Sequence, residues 1–256
     1  MSSYLRALAG ALAAEALKLR RTLALRMCAV TPAVVVTLCV LQFGLTELEV
    51  GQTPQAAWKS FAGASFALWA FLMMPLFVTL EAALLAGLEH SDRQWKHLLA
   101  LPVPRSVHYL AKWTALVALL LATALLFVGL IALGGWALTF IRADTGLGGW
   151  PPLGWLLRLC TSMVVAGLLM ATIQLWVAIR WRSFTVAVAA GMSATVAGFI
   201  IGQSRFGRFY PWSLPVQLFA KKGEHAGFAL AASLLGATVV LAFSIWEFSR
   251  RELDGD

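Results

Sequence analysis

Charge is what this sequence has least of: only 12% of its 256 residues are Asp, Glu, Lys or Arg, whereas soluble domains carry roughly 25%. A chain that is also 60% hydrophobic has too little polar surface to cover a water-soluble core. Catalytic signatures are missing too. No GxxxxGK[ST] phosphate-binding loop occurs, which excludes ATP hydrolysis by that mechanism. No GxSxG elbow or HExxH pair is present. Cysteine is scarce: Cys28, Cys39 and Cys160 form no CxxC pair and read as small apolar fillers. None of the four histidines falls in a long apolar run. His90, His97 and His108 gather in one polar stretch, but no carboxylate or cysteine there completes a ligand set, so no metal site is assigned.

What the sequence does have is six uncharged runs of spanning length: Met27 to Leu45, Ser60 to Leu80, Trp113 to Ile141, Leu159 to Ile179, Ser183 to Ser204 and Ala226 to Trp246. A bilayer core about 30 Å thick takes about 20 apolar residues per helix. Barrel strands alternate apolar and polar residues, and these runs do not. The expectation is one all-α integral membrane domain over 1–256, with spans near 22–45, 60–83, 113–140, 157–179, 183–204 and 226–247. The first run lies too far from the N-terminus, and is followed by too many others, to read as a cleaved signal.

Positive residues resist translocation, so their placement orients the chain. With the N-terminus inside, the outer side holds only Lys59, Arg142, Arg158, Arg205, Arg208, Lys221 and Lys222, leaving 13 of the 20 basic residues within. Both termini are then cytoplasmic, in a multi-pass protein of the cell (inner) membrane. The net charge of +8 follows from this topology and from anionic lipid; no nucleic-acid partner is required.

Tyr4, Leu5, Leu8, Leu12, Glu15 and Leu19, set against Arg6, Lys18 and Arg21, predict an amphipathic elbow helix lying at the cytoplasmic interface before the first span. Between the fifth and sixth runs, Phe206, Phe209, Tyr210, Trp212 and Phe219 alternate with Pro211 and Pro215. That density fits an aromatic interface belt or a re-entrant segment, and the prolines argue against a single straight helix.

The most informative polar stretch is GLEHSDRQWKHLLALPVPRSVHYLAK, from Gly87 to Lys112. Trp95, Leu98 and Leu99 give a short helix an apolar stripe, and Glu89, Asp92, Arg93 and Lys96 supply charges around it. Pro102 and Pro104 end that helix, and Ser106 is expected to cap the next. The stripe has two readings: it rests on lipid, or it docks on another protein.

The run Glu89, Trp95 through Arg105 and Tyr109-Leu110-Ala111-Lys112, with Glu15-Ala16-Leu17-Lys18-Leu19-Arg20-Arg21 at the start, resembles type-2 ABC exporter permeases, particularly the short permeases of lantibiotic immunity and antibiotic export. The resemblance implies six spans, an elbow helix, and a cytoplasmic coupling helix between spans two and three that docks on a separate ATP-binding cassette subunit. Carried onto this chain, the docking surface is Glu89, Asp92, Arg93, Trp95, Lys96 and Leu99, with Arg105 at the following turn. The chain itself binds no cofactor; ATP and Mg belong to the partner subunit. Cargo is expected to be amphipathic, a peptide, an antibiotic or lipid-like. Rival readings are an ATP-independent channel or carrier, and an intramembrane enzyme, for which Glu81, Gln174 and Gln42 make no recognisable catalytic set.

Two intramembrane features remain. Gly191, Ala194, Gly198 and Gly202 form a ladder of small residues at helical spacing, which suits close packing either with a second permease chain or within one protomer. Glu81, near the inner end of the second run, either lines a cavity or, as its place near a span end favours, reaches the interface and pairs with a loop cation.

Overall fold

The computed structural model describes residues 2–20, 22–46, 53–91, 104–142, 145–181, 183–219 and 224–250. These form helices α1 (Ser2–Leu19), α2 (Leu23–Leu45), α3 (Pro54–Leu68), α4 (Met74–Ser91), α5 (Arg105–Ile141), α6 (Leu153–Arg180), α7 (Phe184–Gly202) and α8 (Ala226–Arg250). Among the described residues six stretches are long and apolar enough to cross a membrane: α2, α3 continued into α4, α5, α6, α7 and α8. The all-α, six-span expectation holds. Alternate crossings put the start of α2, the α4–α5 and α6–α7 junctions and the end of α8 on one face, called here the N-terminal face.

Helix boundaries run past the uncharged stretches. The second crossing begins at Pro54 and the third at Arg105, because a helix does not end where charge begins. Thr53 caps α3 by accepting from the Ala56 amide, with Pro54 in the first turn, the position where a missing N–H costs nothing. At the start of α5 the cap is not Ser106. Pro104 takes that position, and its carbonyl accepts from the Val107 amide at 2.9 Å.

α3 passes into α4 through a π turn, Trp69–Met73, in which the Met74 amide donates to the Trp69 carbonyl five residues back. Pro75 follows directly and has no amide for the carbonyl of Phe71. The widened turn re-phases the helix at that gap and leaves Phe71 edge-on to Phe199 of α7, with centroids 4.2 Å apart. The core lies between α3–α4, α5 and α6, where Phe66 and Trp69 meet Phe127 at 5.3 and 5.0 Å. α7 and α8 lie outside this core and keep broad apolar faces exposed. α1 packs on α5 through Glu15 and Leu19, its most buried residues, while Leu5 is exposed despite its place in the apolar pattern.

Candidate functional site

The N-terminal face carries the ion pairs Lys18–Glu15, Lys112–Glu15 and Arg180–Glu247. Lys112, in the third turn of α5, is 1% exposed. Its Nζ donates to the Leu85 carbonyl of α4 at 3.0 Å and to Glu15 Oε2 of α1 at 3.3 Å. Lys18 donates to the other oxygen of Glu15 at 3.0 Å. One ammonium therefore ties three helices together, and two of them, α4 and α5, flank segment 92–103. Burial pushes the Glu15 carboxyl up, but Lys112 and Lys18 outweigh it, and the group sits below its ordinary value of 4.5. A buried ammonium holding a carboxylate and a carbonyl fixes position strongly, because removing either partner strands a charge in a low-dielectric site.

A second tie closes the same face. Arg180, at the end of α6, pairs through Nε with Glu247 Oε1 of α8 at 3.1 Å. Trp176 Nε1 donates to the other oxygen at 2.5 Å. Tyr109 of α5 meets Phe248 of α8 with ring centroids 5.7 Å apart, so the start of α5 and the ends of α6 and α8 are joined on this face.

Asp92, Arg93, Trp95, Lys96 and Leu99, the core of the anticipated docking surface, lie outside the described residues. Glu89 falls in the last turn of α4 and Arg105 opens α5, so the two bracket that segment.

The small-residue ladder is occupied within the chain. A Cβ on Gly191 would overlap the Thr79 side chain of α4. Gly198 abuts Trp212 and Gly202 abuts Ser213, each 3.4 Å from where a Cβ would stand. The Ala194 carbonyl accepts from the Tyr210 hydroxyl at 2.8 Å. The segment after α7 thus turns back along it in three 3-10 turns, Gly207–Phe209, Pro211–Ser213 and Val216–Leu218. Gly207 is required there, since a side chain at that position would strike the Gly202 backbone. On the same face Arg142, beyond α5, donates to the Thr46 carbonyl at 2.7 Å, satisfying the end of α2.

Glu81 does not reach the protein surface, and among the described residues it pairs with no loop cation. It is 0% exposed, and neither carboxylate oxygen has a hydrogen-bond partner. Gln174 is spent elsewhere, donating to the Ala187 carbonyl at 2.7 Å, and Gln42 is exposed on α2. These three groups do not assemble into a site. The sequence places Glu15 in the amphipathic N-terminal pattern and Lys112 at the end of the stretch that resembles exporter permeases, without pairing them; the signal that marks Glu15 is a charge placed on an apolar stripe. Among the described residues no three metal-ligating side chains come together.

A family model described as ABC-2 family transporter protein matches residues 11–198, a span that includes Glu15, Lys112 and the whole α4–α5 junction. No curated protein matches the chain.

Proposed function

The chain belongs to the ABC-2 transporter family, and from that premise we propose that it is the permease subunit of an ATP-driven exporter whose ATPase is a separate polypeptide. The N-terminal face is then cytoplasmic, α1 is the elbow helix, and segment 92–103 with Glu89 and Arg105 is the docking element for an ATP-binding cassette subunit. The observation that carries this reading is the Lys112 tie between α1, α4 and α5. A push delivered to the loop between α4 and α5 reaches two spans and the elbow together, rather than one flexible end. A short helix with an apolar stripe and mixed rim charges suits a groove on such a partner.

Six spans make half of a translocation pathway in exporters of the resembled kind, so a second permease chain completes it. Because Gly198 is covered by Trp212, the open apolar stripe Met192, Val196 and Ile200 of α7 is the better contact face. Cysteine placed at 196 gives an intermolecular cross-link in membranes on this reading, and yields none if the permease half acts without a partner on that face. Cargo is amphipathic, whether peptide, antibiotic or lipid-like, as the apolar spans with few fixed charges favour. A channel or carrier would need a polar lining, and the buried Gln174 and Thr172 are engaged in helix contacts instead.

Purification from membranes with the candidate ATPases tests the reading. Wild type recovers a phosphate-loop ATPase, and Trp95→Ala combined with Arg93→Glu loses it. Recovery of the ATPase undiminished by the double variant would overturn the docking assignment.

A further inference from the structure

On the face opposite the N-terminus, the described residues between α7 and α8 line a solvent-open cavity of about 540 Å3, with Gln203, Arg205, Arg208, Gln217 and His225 among its walls. Among the described residues that line it none is acidic. Among the described residues neither arginine forms an ion pair. Their positions are nonetheless constrained, because Arg205 lies over the Phe206 ring at 4.9 Å and Arg208 over Phe209 at 4.7 Å. Stacked guanidinium groups keep their donor edges free, and that planar fork matches phosphate oxygens in pairs.

Apolar groups accompany the cations. Phe206 and Phe209 are each 58% exposed, and Phe209 meets the exposed Phe228 of α8 edge-on at 5.5 Å. A second cavity of about 70 Å3, lined by Phe71, Pro75, Phe199, Trp212 and Val216, shares Gly202 and Gln203 with the first. A basic compartment thus opens beside an aromatic one at the end of α7. Free phosphate would use only the former. A phospholipid would place its headgroup between the arginines and lay its chains along the exposed rings of Phe206, Phe209 and Phe228, where aromatic side chains sit at membrane interfaces.

We propose that this paired cavity is a binding site for the phosphoryl headgroup of an anionic membrane lipid. The site stands apart from the cytoplasmic docking element and does not depend on the export reading. Fixed there, a lipid would hold the turned-back segment against α7, next to the π turn that carries Phe71.

Native mass spectrometry of the delipidated full-length chain, titrated with phosphatidylglycerol, phosphatidylcholine or inorganic phosphate, tests it. Phosphatidylglycerol is expected to bind about tenfold more tightly than phosphatidylcholine, a preference of ~1.4 kcal/mol. Arg205→Gln with Arg208→Gln abolishes that preference, and Arg158→Gln, an exposed cation on α6 outside the cavity, preserves it. An unchanged preference in the double variant would overturn the site. Displacement of bound phosphatidylglycerol by millimolar inorganic phosphate would overturn the lipid as its ligand.

Discussion

At the N-terminal face Glu15 is held between Lys18 at 3.0 Å and Lys112 at 3.3 Å, whereas one turn deeper along α4 than Leu85, Glu81 is wholly buried with both oxygens unpaired. The first region spends its charges on position: one ammonium joins three helices, and the geometry depends on every partner being present. The second region is held by apolar packing, Thr79 against Gly191 above all, and its carboxyl adds no contact that holds the helices. The same side chain is therefore structural in one place and structurally dispensable in the other. On the proposed function, force from a loop partner would enter where the charges are locked and travel through a middle held mainly by close fit.

The contrast is broken most severely by Glu15→Ala, which takes the carboxylate away from the buried Lys112 ammonium. Loss of ~3–5 kcal/mol is expected, read as a lowered thermal unfolding midpoint in detergent. Lys112→Met added to it recovers most of that loss, since the stranded charge is gone; a double variant as unstable as the sum of the singles would show that the two do not act as a pair.

Next in size is Gly191→Ala, which forces a methyl onto Thr79. Overpacking of this kind costs ~1–3 kcal/mol, and an unaltered midpoint would mean that α4 and α7 do not meet there. Glu81→Gln keeps the shape of a side chain that has no partner to lose, so stability changes by less than about 1 kcal/mol. A large destabilisation would show that the carboxyl is bonded after all. If export and ATPase stimulation also survive that substitution, Glu81 does not shape the cargo path.

The smallest effect concerns pH. Glu15 sits below its ordinary value of 4.5 in the folded chain, so its contribution is fully present above 4.5 and is lost as pH falls through the lower folded value. The unfolding midpoints of wild type and Glu15→Gln should differ by a constant amount from pH 8 to 5 and converge only in stronger acid. Convergence already near pH 6 would contradict the pairing.

The six crossings were legible because a run of about 20 uncharged residues has few other uses. Their ends were less so. Counting uncharged residues stopped the third crossing at Lys112, although that lysine continues the helix once Glu15 and Leu85 satisfy it. That partnership joins residues 97 positions apart, beyond the reach of any local pattern. Glu81 was misjudged for a related reason: its distance from the helix end is visible in the sequence, but the face it occupies is not. The spacing of the ladder from Gly191 to Gly202 is visible in the sequence, but what it meets, Thr79 and the segment around Trp212, depends on a turn that prolines and aromatics alone do not specify. The metal-free reading of the histidine cluster and the docking residues from Asp92 to Leu99 rest on sequence alone.

Photo-cross-linking from position 95 in native membranes tests most directly whether the loop between α4 and α5 is where an ATPase engages this permease. The account predicts an adduct with a phosphate-loop ATPase that disappears when Arg93→Glu is added. Adducts with lipid alone, and none with an ATPase from any position between 92 and 99, would contradict it.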